Sequence, residues 1–166
     1  MSKFMKVAVA VAAAVSLTAA AAEAQSGNIT ATASVQQAIN VSGAATLDFG
    51  SVLPGIPVSV DPSLDATAGR FDLTGVASQN VNLSFVLPAN LSSGGNLLPI
   101  GSWDGCHNAT ATQAGCTSFT PSAGNTATVF SGAGALSVYV GATVSPSGLQ
   151  PAGIYTGTIT LNAAYF

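Results

Sequence analysis

Few residues in this sequence belong to types that perform chemistry. Beyond residue 24 the acids are Asp48, Asp61, Asp65, Asp72 and Asp104, the one histidine is His107, the one fixed cation is Arg70, and the only thiols are Cys106 and Cys116. A Ser-His-Asp relay could be built only around His107. That residue adjoins Cys106 in a stretch rich in Gly, Asn and Thr, so a structural or incidental histidine is expected. Glycosidase chemistry needs two carboxyl groups facing one cleft. Asp48 lies between Leu47 and Phe49, and Asp72 between Phe71 and Leu73; such alternation places both on outward, solvated strand faces. Asp61-Pro62 and Asp65 read as turn formers, with a calcium pair as the alternative. Asp104, Cys106 and His107 make a poor zinc set, because a structural zinc takes four ligands. No Gly-rich stretch carries a Lys or precedes a helix as a phosphate loop would. The expectation is a protein without catalysis, metal or cofactor.

The ends and the charge set the compartment and exclude partners. Lys3 and Lys6 precede an almost wholly apolar run from Val7 to Ala22, and Ala22-Glu23-Ala24 supplies small residues at the −3 and −1 positions. This is the pattern of a Sec-type signal peptide over 1–24, cut after Ala24; the run is short for a membrane span of about 20 residues. In an exported chain, Cys106 and Cys116 are expected to form one disulfide. A single arginine cannot displace counterions from phosphates, which excludes a nucleic-acid partner, and the same shortage excludes an anionic membrane surface. The polar surface must instead come from Ser, Thr, Asn, Gln and Gly. Such a neutral surface suits a protein outside the cell that packs against copies of itself, or an outer-membrane barrel.

The elements that would position these residues alternate with period two, the signature of half-buried strands. Ile29, Ala31, Ala33 and Val35 share one parity, with Thr30, Thr32 and Ser34 on the other. Val81, Leu83, Phe85 and Leu87 form a second such set, and Leu136, Val138, Val140, Ala142 and Val144 a third. A last strand is expected from Ile154 to Tyr165, with Tyr155, Ile159, Leu161, Ala163 and Tyr165 on one face. The stretch from Pro88 to Ser122 contains the turn cluster Ser92-Ser93-Gly94-Gly95-Asn96, both cysteines and Trp103. It reads as a long connection with short strands, stapled by the disulfide. About eight to ten short strands with Gly and Pro punctuation imply an all-β sandwich or barrel forming one domain.

Two motifs lie at opposite ends of this pattern. The first is Leu47-Asp48-Phe49-Gly50-Ser51-Val52, followed by Pro54-Gly55; the second is Pro151-Ala152-Gly153-Ile154-Tyr155-Thr156-Gly157-Thr158-Ile159-Thr160-Leu161, running to a terminal aromatic. Together they resemble the bacterial family catalogued as domain of unknown function 4402, and they are similar to subunits of the spore coat U-like and chaperone–usher pilus groups. The family-like positions are Leu47, Phe49, Gly50, Pro151, Gly153, Tyr155 and Gly157. The resemblance implies an incomplete immunoglobulin-like β-sandwich whose missing edge strand is supplied by a neighbour's N-terminal extension. It implies a structural subunit of a pilus or surface fibre, with other copies or related subunits, a periplasmic chaperone and an outer-membrane usher as partners. On that reading residues 1–24 are the signal, 25–35 an extension whose Ile29, Ala31, Ala33 and Val35 form the donor face, and 36–166 the sandwich. The chain departs from the pilin pattern in two ways. Ala31 and Ala33 are small for groove-filling anchors, and the disulfide lies mid-chain. Three alternatives stay open: the extension is the first strand of its own domain; the protein is a small outer-membrane β-barrel; or it is a secreted adhesin whose loop from Gly94 to Ser122, with Trp103, holds a ligand.

Overall fold

Where the alternation is sustained, the chain forms strands. The computed structural model describes residues 25–166; the expected signal peptide over 1–24 lies outside the described residues. The described elements are β1 (Asn40–Ala45), β2 (Val58–Val60), β3 (Gly69–Thr74), β4 (Asn80–Val86), β5 (Asn90–Ser93), β6 (Asn96–Asn108), β7 (Thr117–Phe119), β8 (Thr126–Val129), β9 (Ala135–Val144) and β10 (Thr160–Tyr165), with no helix among them. They build two antiparallel sheets. The larger has the order β1-β3-β9-β6-β5, with β2 pairing β9 and β7 pairing β6; the smaller is β10-β4-β8. The fold is all-β, a sandwich of two open sheets.

The inner faces meet in one main core. Leu73 of β3 and Leu136, Val138 and Val140 of β9 pack from the larger sheet against Val81, Leu83 and Phe85 of β4, Leu161 of β10, and Phe130. Each such side chain contributes about 1.5–3 kcal/mol on burial. A second cluster of Leu98, Ile100, Ala142 and Val144 lies on β6 and β9 alone. No buried residue of the three-strand sheet joins it, and this asymmetry shapes the site described below.

The alternating residues from Ile29 to Val35 form no strand. Residues 25–34 constitute a unit of their own, exposed and without regular structure, and Val35–Phe166 forms the other. Ile29 and Val35 are each 96% exposed. The stretch from Pro88 to Ser122, expected as a loose connection, instead contains the longest strand, the 13-residue β6. Polar residues and glycines such as Gly101, Ser102 and Gly105 concealed it. The last strand is shorter than expected. Only Thr160–Tyr165 pairs with β4, and before it a single bridge joins Thr156 to Ser92 of β5. Asp48 lies in irregular chain, not in a strand. Asp72 is in β3 as expected but is not simply solvated, since it accepts from Arg70 Nη2 at 3.2 Å and from Ser137 Oγ at 2.8 Å. Asp61 and Asp65 do form a turn: Asp61 Oδ1 accepts from the Ser63 hydroxyl at 2.6 Å and its amide at 2.8 Å, and Asp65 Oδ2 accepts from the Asp61 amide.

The expected disulfide is present. Cys106, near the end of β6, bonds Cys116, with Cα atoms 5.7 Å apart. Closing so short a loop stabilises the fold by roughly 2.5–3 kcal/mol on the chain-entropy estimate. The neighbouring His107 has a structural part: its Nδ1 lies 3.3 Å from Thr128 Oγ1, so β6 of one sheet is hydrogen-bonded to β8 of the other. Its ring also stacks at a tilt on Phe119, centroids 5.8 Å apart. Burial lowers the His107 pKa below the ordinary 6.5, so on acidification the unfolded chain takes up this proton first. The contribution is therefore complete above about 6.5 and is lost as pH falls through the lower folded-state value. The denaturation midpoint should drop between about pH 7.5 and pH 5.5, and His107→Gln should flatten that drop. An unchanged slope in the variant would assign the effect elsewhere. Asp61, lowered by its bonds from Ser63, titrates below 3.8, outside this window.

Candidate functional site

The three-strand sheet does not cover all of the larger one. Over the uncovered part runs an apolar cleft of about 820 Å³. Its floor is the inner face of the larger sheet: Leu91 of β5, Leu98, Ile100 and Trp103 of β6, and Val140 and Val144 of β9. One wall is the irregular segment from Ala45 to Pro54, and the other is the strap from Pro146 to Ile159 that leads into β10. The two sequence motifs thus become the two walls. Leu47, Phe49, Gly50, Pro151, Gly153, Tyr155 and Gly157 all line the cleft, brought together from opposite ends of the domain. Cys106 and Cys116 do not line it, and Ile29, Ala31, Ala33 and Val35 are exposed.

Local chemistry fixes each wall. In the first, the Asp48 amide donates to Thr67 O at 2.9 Å, and Asp48 Oδ1 accepts from the Gly50 amide at 2.8 Å. This Asx turn needs φ +63° at Gly50, a left-handed value that glycine adopts at no steric cost. Leu47 and Phe49 then point the same way and pack on the Leu98–Val144 cluster, with Val52 beside them. In the second wall, the odd-numbered residues face inward. A Cβ on Gly153 would meet Ser93 Oγ at 2.6 Å, and one on Gly157 would meet Leu91 Cδ2 at 2.7 Å. The glycines of the second motif are therefore a close-approach device that lets the strap lie on β5, where Ser92 and Thr156 exchange both backbone bonds at 2.9 and 3.0 Å. The Tyr155 hydroxyl donates to Pro151 O and accepts from Gln150 Nε2, both at 2.8 Å, and Gln150 Nε2 also reaches Leu97 O at 3.0 Å. At one end the walls join through the Gly55 amide and Ser147 O, 3.0 Å apart.

The strap of the second wall leads into β10, one edge of which is unpaired. The Phe85 amide donates to Ser122 O, away from β10, and Phe85 stands opposite Leu161. In an antiparallel ladder, hydrogen-bonded and non-bonded pairs alternate. Thr160, Asn162 and Ala164 therefore exchange bonds with β4, while the N–H and C=O groups of Leu161, Ala163 and Tyr165 point to the other side. Among the described residues, no strand pairs with that side. Asp48 is the one carboxylate that lines the cleft, and it is engaged in its own turn.

The β10 edge was not legible in the sequence, and Trp103 was read only as part of the ligand-holding loop of the adhesin alternative. Along β6, Leu98 and Ile100 face inward on even numbers. Between Gly101 and Asp104 the register shifts: three steps of β6 match two of β9, from Thr143 to Gly141. Ser102 takes a left-handed φ of 48° there. The extra residue inverts the parity, so that Trp103 lines the cleft and His107 reaches β8, while Asp104 lines a small pocket with Asp61 and Ser63. A bulge of this kind re-aims a side chain. No protein-family model matches the chain, and comparison with curated proteins finds no match.

The close approach of the strap yields a direct test. Gly157→Val forces a side chain against Leu91 and Pro88, and overpacking of this sort should destabilise the protein by about 1–3 kcal/mol in urea unfolding. Gly148→Ala, where an added Cβ meets nothing within 4 Å, should be near neutral. Equal effects from the two substitutions would contradict the close packing of the strap on β5.

Proposed function

We propose that this protein is an exported structural subunit of a bacterial pilus or surface fibre, and that its cleft receives the Ile29–Val35 segment of another copy. The single observation that carries the reading is the unpaired edge of β10, the strand into which one wall of the apolar cleft leads. The segment has the complementary properties: it is exposed, outside any strand, apolar on one parity and rich in Thr and Ser on the other. Seven extended residues reach about 23 Å at roughly 3.3 Å each, long enough to run beside the six residues of β10. Main-chain bonds to β10 would supply much of the affinity, and the alternate side chains would set the register. The alternative is that this segment is the first strand of its own domain. A barrel in the outer membrane requires a sheet closed on itself, whereas the described strands form two open sheets.

Fibre assembly, cell-surface location, and a chaperone that covers the cleft in transit with an usher that releases it follow from the motif resemblance. The disulfide is compatible with an oxidising compartment outside the cytoplasm. The test is deletion of residues 25–34 from the processed protein. The intact processed chain should form concentration-dependent oligomers by light scattering. The shortened chain should remain monomeric yet bind a synthetic 25–39 peptide. A shortened chain that is stable, monomeric and indifferent to the peptide would overturn the reading.

A further inference from the structure

The two small residues at the centre of the donor face have a counterpart in the cleft. Read along one parity, the segment is large at both ends and small in the middle: Ile29, Ala31, Ala33, Val35. An apolar groove with a smooth floor gains more from larger side chains, which bury more apolar area, so two central alanines need a reason. Trp103 supplies one. It lines the cleft, and it alone among the half-buried side chains packs against both the main core and the Leu98–Val144 cluster. It therefore stands where the two clusters adjoin, within the cleft and not at its rim. Its position there depends on the bulge between Gly101 and Asp104 and on the left-handed Ser102, a conformation that is strained for a non-glycine residue. A strained backbone that turns the chain's single tryptophan into the cleft is a specific feature of this strand. Regular alternation would have put Ser102 there instead.

We infer that Trp103 is the specificity-determining residue of the cleft: its indole occupies the middle of the strand position and selects a partner segment with small residues at its centre, as in Ala31 and Ala33 of a second copy. The inference rests on the donor-strand reading above. It adds that the fit is one of size, with a large floor residue against small strand residues and space for larger ones at either end. Because large residues flank the alanines on both sides, the matching holds for either direction of the inserted strand.

The experiment is a size swap in the full chain, exported and processed, with oligomer formation read by light scattering and Trp103 emission followed in parallel. Ala31→Leu with Ala33→Leu should reduce the association constant about tenfold or more, since overpacking opposes insertion. Adding Trp103→Ala to that pair should restore association towards the unsubstituted level, and Trp103→Leu should restore it in part. Trp103→Ala alone should weaken association of the natural segment. In the unsubstituted protein, Trp103 emission should shift to shorter wavelength on assembly. If the unsubstituted protein does not associate, the donor-strand reading fails and this inference fails with it. If it associates and the leucine pair associates equally well, or is not rescued by either Trp103 substitution while circular dichroism shows those variants folded, the size-selection inference alone is overturned. If Trp103→Ala does not fold, the Trp103→Leu arm decides.

Discussion

The rest of the structure is organised by an unmet requirement, the unpaired side of β10. Backbone N–H and C=O groups are obligatory hydrogen-bonding groups, and an exposed strand edge beside apolar surface is a template for another chain. Here β10 continues the strap that walls a cleft lined by Leu91, Leu98, Ile100, Trp103, Val140 and Val144. The two walls are fixed by local means. The Asx turn at Asp48–Gly50 fixes the first, and the glycines facing Ser93 and Leu91 fix the second. The main core, with Val138, Val140, Val81 and Leu83 fully buried, keeps the sandwich together without an occupant. A neutral, Thr- and Ser-rich surface fits the same picture, since long-range charge repulsion would oppose the packing of identical copies.

The parts of the fold that could be read from the sequence were those where one face is wholly buried. β4 and β9 appear as clear alternation because their inward residues pack against the opposite sheet, and the odd parity of Tyr155, Ile159, Leu161, Ala163 and Tyr165 does face inward. The motif residues Leu47, Phe49, Gly50, Pro151, Gly153, Tyr155 and Gly157 were legible as a set, and they do meet in one place. Their geometry was not legible, because the segments carrying them are irregular chain shaped by hydrogen bonds to distant residues such as Thr67 and Ser92. Local alternation cannot distinguish a paired strand from unpaired extended chain. For that reason 29–35 and 154–159 carry strand patterns and no ladder.

The misreading of 88–122 has a separate physical cause. Period-two reasoning assumes a fixed phase, and the bulge in β6 changes the phase midway. Leu98 and Ile100 point inward on even numbers, while Trp103 lines the cleft on an odd one. Read as a single run, the segment looks patternless. Cys106 then falls on the opposite parity from Trp103 and His107, so the disulfide staples β6 to the 109–116 loop without intruding on the cleft. One inserted residue thus separates the disulfide from a cleft-lining side chain on the same strand.

Residue-resolved amide hydrogen exchange on β10 probes the open strand position most directly. In the dilute, unassembled subunit, the amides of Thr160, Asn162 and Ala164, bonded to β4, should exchange slowly. Those of Leu161, Ala163 and Tyr165, on the unpaired side, should exchange quickly and become protected when copies associate. Equal protection of both sets in the single subunit, or no change at Leu161, Ala163 and Tyr165 on association, would contradict the idea that β10 presents a vacant edge for another copy's strand.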